Sequence, residues 1–130
     1  MRLLLDTHIF LWWVYDDPKL TQLSKSLIEN TDNIKYISAL TAWELAIKSG
    51  QGKLKLNQSA GDFYNKYVEQ NGFETMLLSL HHLFAVENLP LHHKDPFDRL
   101  FIAQAQAQIE KLAIVSADTA LDAYDIERVW

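Results

Sequence analysis

The chain has no cysteine in its 130 residues, which excludes a disulfide framework and thiolate chemistry and agrees with a reducing cytoplasm. It has no apolar run approaching the ~18 residues that a membrane-spanning helix requires. The stretch from Met1 to Tyr15 is greasy and carries Arg2, but Asp6 and His8 interrupt it and no small-residue cleavage site follows. It therefore does not read as a signal peptide. Basic charge is not in surplus either: 12 Lys and Arg against 17 Asp and Glu leave a net charge of −5. That balance argues against a protein that holds nucleic acid mainly through a basic surface, but a cluster of metal-binding acids would produce the same count. No repeat or low-complexity stretch is present. The composition is that of an ordinary soluble globule, 48% apolar and 22% charged. The length predicts one domain, residues 1–130, able to bury about two-thirds of its unfolded surface.

Local patterning predicts an α/β chain. Leu3-Leu4-Leu5 is a short continuous apolar run that stops on Asp6, as expected of a strand buried on both faces in the middle of a parallel sheet. Ile9 to Tyr15 reads as a short helix ended by Asp16-Asp17-Pro18. Leu20, Leu23, Leu27 and Ile28 mark a second helix capped by Thr21. Ile34 to Ser38 is a second strand, and a helix from about Thr41 to Ser49 is stopped by Gly50-Gln51-Gly52. Lys53 to Leu56 alternates like an edge strand or extended loop. A helix follows from Ser59 to Asn71-Gly72, then a third strand at Thr75 to Leu78 and a short helix from His81 to Asn88. The clearest helix opens at Asp95-Pro96, with proline at the first helical position behind an Asp cap, and runs through Ala107 and Ile109. Leu112 to Ser116 is a fourth strand, and the tail from Tyr124 adds a short fifth. Strands alternating with helices imply a mostly parallel four- to five-stranded sheet with right-handed crossovers.

Four acids stand out, and each has an ordinary structural explanation. Asp6 and Asp118 follow strands and are suited to cap what comes next. Thr41 and Glu44 match a capping box, and Asp98 sits in a first helical turn, where the dipole favours a carboxylate. Yet Asp6, Asp118 and Glu44 all belong to the C-terminal edge of the sheet, where ligands bind in open α/β folds, and the long Leu89 to Lys94 loop can bring Asp98 to join them. Converging carboxylates repel one another unless a cation is present, and hard oxygen ligands suit Mg2+ or Mn2+. One or two ions are expected. A pair about 3.5 to 4 Å apart would clamp the attacking and leaving oxygens of a phosphodiester while activating a water for in-line hydrolysis.

Read together, these residues resemble the PIN-domain nucleases, and in particular the VapC-like toxins of bacterial toxin–antitoxin pairs. The resemblance rests on Leu4-Leu5-Asp6-Thr7-His8, on Ser38 to Lys48 with Gly52-Lys53-Leu54, on His93 to Leu100 with Ile102-Ala103-Gln104-Ala105, and on Val115-Ser116-Ala117-Asp118. It covers the whole chain. It implies a three-layer α/β/α domain and a Mg2+- or Mn2+-dependent endoribonuclease, inhibited by a cognate antitoxin and expected to be a cytoplasmic homodimer. Carried over by position, Asp6, Glu44 and Asp98 become metal ligands and Asp118 the fourth, often outer, acid. Asp95 serves as helix cap or supporting acid, with Thr7 and Ser116 as supporting neighbours. Arg99, Lys48, Lys94 and His93 are the candidates for contact with RNA, with Lys53 and Lys55 nearby. The pairs His81-His82 and His92-His93 show no clean ligand spacing, because adjacent side chains point apart. Phe10, Trp12 and Trp13 exceed what one short helix needs, so either the core takes them or part of that surface meets a second subunit or the antitoxin.

Two rivals share parts of this pattern. A receiver or haloacid-dehalogenase-like phosphotransfer domain also has an Asp after its first strand, but Asp6-Thr7-His8 lacks a second acid two residues on and Leu77-Leu78-Ser79 supplies no phosphoacceptor. The alternative outside enzymology is a catalytically inactive PIN-like module that binds RNA or protein. A degenerate site tolerates Asn, Ser or Ala at one position, whereas here all four acid positions are filled.

Overall fold

The apolar opening run becomes strand β1 (Arg2–Leu5), with Leu3, Leu4 and Leu5 fully buried. A strand buried on both faces needs neighbours on both edges and helices above and below. The sheet supplies them with the order β3-β2-β1-β4-β5, in which every pairing is parallel. The computed structural model describes residues 1–107 and 112–130. After β1 come α1 (Thr7–Val14), α2 (Gln22–Glu29), β2 (Ile34–Ser38), α3 (Ala39–Gly50), α4 (Ala60–Gln70) and β3 (Glu74–Met76). Then follow α5 (Leu80–Ala85) with a 3-10 turn (Val86–Asn88), α6 (Pro96–Gln106), β4 (Ala113–Val115), a second 3-10 turn (Thr119–Ala123) and β5 (Glu127–Val129).

Side chains alternate across β1 and so divide the core in two. Leu3 and Leu5 join Ile9, Phe10, Ile28, Phe63, Tyr64 and Phe73 on one face. Leu4 joins Tyr36, Leu40, Phe101, Ile102, Ala105 and Ile114 on the other. The result is the expected three-layer α/β/α arrangement. Strands are added outward from β1 through β2 to β3, and the chain then returns to place β4 on the opposite side of β1. That reversal opens a crevice beyond the C-terminal ends of β1 and β4. Leu5 is in register with both Ile37 and Val115, so Asp6, Ser38 and Ser116 come level at that edge.

Several boundaries differ from expectation for local reasons. Helix α3 starts at Ala39, capped by Ser38, whose Oγ accepts from the Leu40 amide at 3.0 Å and donates to Gln104 Oε1 at 2.6 Å. Thr41 is therefore already inside the helix, with its buried hydroxyl 3.0 Å from that of Thr7. The Thr41–Glu44 capping box does not form, and Glu44 falls in the second turn. Strand β3 stops at Met76, short of the expected Leu78, and Lys53 to Leu56 is loop, anchored by buried Leu56. Gly52, at φ +72°, takes the left-handed conformation that closes α3. The expected continuation of α6 through Ile109 lies outside the described residues. Among those that are described, no helix is long and apolar enough to cross a membrane.

Candidate metal centre

Asp6 is both the end of the central strand and the cap of a helix. Its Oδ1 accepts from the Ile9 amide at 2.9 Å, so the capping role is real. Burial pushes its carboxyl above the ordinary range, against the lowering effect of a Ser116 hydrogen bond, the Ile9 amide and nearby His8, and Asp118 raises it further. Ser116 is fully buried at the end of β4, where its Oγ also accepts from the Asp118 amide at 3.0 Å. One hydroxyl thus ties Asp6 to the backbone of Asp118. Thr7 links the start of α1 to α3 through Thr41.

Asp98 comes from the other direction, on the first turn of α6. Asp95 caps that helix by accepting from the Phe97 amide at 2.8 Å, and Pro96 holds the first helical position. The Asp98 carboxyl is raised to about 6, first by burial, then by the charge of Asp95 and by Asp118 and Asp6, with His93 acting in the opposite sense. Asp118 caps the 3-10 turn after β4 and accepts from Ala120 at 3.0 Å. His93 stands between the two acids, its Nε2 lying 3.1 Å from Asp98 Oδ2 and 3.5 Å from Asp118 Oδ2. Glu44 shares the same space, but its Oε2 is 2.7 Å from Lys48 Nζ, one helical turn further along α3.

The acids surround a cleft of about 420 Å3 lined by Asp6, Glu44, Asp95, Asp98 and Asp118, with Thr7, His8, Trp12, Lys48, Phe97, Phe101 and Ala117 completing the wall, and His93 stands behind Asp98 and Asp118, outside the lining. The donor set is dominated by carboxylate oxygen, and the lysine in the lining is already paired with an acid. The carboxyls of Asp6 and Asp98 are raised first by burial and then by their acidic neighbours, so both sit in a place that disfavours bare negative charge. A hard divalent cation meets that demand, and Mg2+ or Mn2+ fits such ligands better than softer metals. Ligand atoms of His93, Asp98 and Asp118 all lie within 4.8 Å of one another, close enough to share one ion.

The cleft gathers most of the residues singled out in the sequence. Asp6, Glu44, Asp98 and Asp118 all line it, as do Asp95, Thr7 and Lys48, and Ser116 lies beneath. Arg99 is not in the lining. Its guanidinium donates to the carbonyls of Pro90 (2.9 Å), Leu89 (3.2 Å), Val86 (3.4 Å) and His93 (3.4 Å), and so fastens the loop that carries His93. Lys94 is exposed on that loop. Of the three aromatic residues at the start of the chain, Phe10 is core, Trp13 donates to Asn71 Oδ1 at 2.9 Å, and Trp12 faces the cleft beside His8. Sequence reasoning missed His8, Trp12 and Phe97 as cleft residues and undervalued the placement of His93. The available signal for Phe97 was its position next to Asp98.

The PIN domain family model matches residues 3–127. Among solved structures, the chain is similar to one in the crystal structure of VapBC2 from Rickettsia felis bound to a DNA fragment from their promoter. That match has a TM-score of 0.72 and 18% identity, and covers 99% of this chain and 98% of that one. It is also similar to a chain of VapBC-1 from nontypeable Haemophilus influenzae, with a TM-score of 0.62 and 14% identity, covering 99% of this chain and 97% of the other. At these identities the likeness is one of fold.

Proposed function

The chain belongs to the PIN-domain family, and from that premise we propose that it is a VapC-like toxin, a Mg2+- or Mn2+-dependent endoribonuclease held in check by a cognate antitoxin. The observation that carries this reading is the meeting of Asp6, Asp98 and Asp118 at the crevice beside the central strand, with Asp6 and Asp98 raised by burial and by their acidic neighbours. These three acids are the proposed ligands, and Glu44 joins them when Lys48 releases it. A divalent cation held there supplies Lewis acidity, lowering the pKa of water and offsetting charge on the scissile phosphate. The chain's own contribution is preorganisation. Asp6 is fixed by Ser116 and the Ile9 amide, and Asp98 is mounted on a capped, proline-started helix. Lys48 in the cleft and exposed Lys94 beside it are the proposed phosphate contacts, whereas Arg99 acts on RNA only through the loop it fastens.

Two observations support a protein partner. The chain folds like members of VapBC complexes, and it exposes Leu77, Leu80, Phe84 and Leu91 on and around α5. An antitoxin and a second copy of the chain are the proposed occupants, in the cytoplasm where the RNA substrate lies. The chemistry is tested by digesting RNA with purified protein in Mg2+ or Mn2+, with and without chelator. Asp6→Asn and Asp98→Asn are each expected to lower cleavage at least ~100-fold, in line with the loss of a group that stabilises the transition state, without loss of folding. Cleavage that survives chelation, or both substitutions, would overturn the assignment.

A further inference from the structure

We infer that His93 is a positioning residue of this centre and not one of its metal ligands: its Nε2–H group spans Asp98 and Asp118 and holds the two carboxylates together. The inference rests on the metal-centre reading above. Distance alone favours the opposite role, because His93, Asp98 and Asp118 offer three ligand atoms within 4.8 Å of one another. The ring's other nitrogen decides the matter. Nδ1 lies 3.0 Å from the Asp95 amide nitrogen and accepts its hydrogen. A nitrogen that accepts a backbone N–H cannot carry a hydrogen of its own on the same line, so the hydrogen of the neutral ring sits on Nε2. Ligation through Nε2 needs a lone pair there and the hydrogen on Nδ1, which would set it against the Asp95 N–H. As built, Nε2 presents a donor, and what faces it is Asp98 Oδ2 at 3.1 Å and Asp118 Oδ2 at 3.5 Å.

The ring is held in place by three separate parts of the chain. The His93 amide donates to Tyr124 Oη at 2.6 Å, and the His92 amide to the same oxygen at 3.1 Å. Tyr124 is itself buried. The His93 carbonyl accepts from Arg99, and Asp95 fixes the ring orientation. Asp98 belongs to α6 and Asp118 to the turn after β4, so their spacing depends on how two separately folded elements dock. His93 Nε2 lies 3.1 Å from one carboxylate and 3.5 Å from the other, and a donor placed between them favours the geometry in which they share an ion. Groups that orient metal ligands in this way typically change metal affinity 10- to 100-fold when removed.

The test uses His93→Ala and His93→Gln, since glutamine places an amide N–H close to where Nε2–H stands. Mn2+ and Mg2+ affinity is measured by calorimetry, and histidine tautomers by long-range 1H–15N NMR of the full chain, metal-free and metal-loaded. His93→Ala is expected to weaken Mn2+ binding at least ~10-fold, and His93→Gln to restore it to within about threefold of wild type. His93 is expected to show hydrogen on Nε2 and a bare Nδ1 in both states, with its Nε2 resonance moving in Asp98→Asn. A ring hydrogen on Nδ1, loss of the Nε2 hydrogen on adding metal, or unchanged affinity in His93→Ala would each overturn the inference. If the tautomer and metal results hold while wild type cleaves no RNA, the placement of His93 stands and the nuclease reading falls.

Discussion

Asp98 shows how a single side chain records burial beside other acids. With its carboxyl raised to about 6 from an ordinary 3.8, it binds a proton more tightly in the folded chain than in the unfolded one. Its contribution to stability is therefore present below pH ~4 and is lost as pH rises through about 6. The expectation is that Asp98→Asn raises the melting temperature of metal-free protein at pH 8, and that this advantage shrinks toward zero near pH 4. Added Mg2+ should stabilise wild type more than the variant, because only wild type offers the ion a complete set of acids. Melting curves in chelator and in Mg2+ at pH 4, 6 and 8 check both points; an advantage that grows as pH falls would contradict the assigned cause. Individual residues of the site were readable where the chemistry is local: Asp6 at the end of an apolar run, and Asp98 three residues behind a cap. Thr41 was misjudged because Ser38, at the end of a strand, takes the cap three residues earlier and meets Gln104 from across the core. The position of His93 was not readable, because it depends on Tyr124 and Asp118, both distant in sequence.

At the scale of elements, the loop from Val86 to His93 is the part that local sequence specifies least and Arg99 specifies most. A guanidinium spreads several donors over a rigid fork, and here it reaches four carbonyls of one loop. Lysine has one nitrogen and cannot reproduce that pattern. Arg99→Lys is expected to cost about 1–3 kcal/mol through unpaired acceptors and to speed hydrogen exchange at the amides of His92 and His93. Exchange mass spectrometry on the two proteins measures this, and equal protection in the loop would show that Tyr124 alone secures it. Elements with strong internal signals agreed with expectation: β2 runs from Ile34 to Ser38, and α6 starts at Pro96 behind Asp95. The weaker ones shifted. Lys53 to Leu56 alternates in sequence, but strand pairing requires a neighbouring edge, and here the segment instead seats Leu56 in the core.

Over the whole molecule, the acidic balance separates this chain from proteins that grip nucleic acid by charge. With Lys48 and Lys94 as the phosphate contacts, two counterions are released on binding a single strand, giving a slope of about −1.4 for log kcat/KM against log salt. Cleavage assays from low to moderate KCl at fixed Mg2+ check this, and a slope steeper than about −4 would mean a basic surface has been overlooked. The mostly parallel sheet and the central place of β1 followed from the alternation of strands with helices and from the fully apolar Leu3 to Leu5, whereas the three-layer class came with the resemblance to PIN domains. The strand order did not, since neither hydropathy nor turn chemistry states on which side of β1 the returning chain will land. That return also sets a time. Asp6 and Glu44 leave the ribosome well before Asp98 and Asp118, and Asp118 reaches Asp6 only after β4 has docked against β1. A partly made chain therefore holds only part of the acid set, and the cleft is complete only when β4 docks.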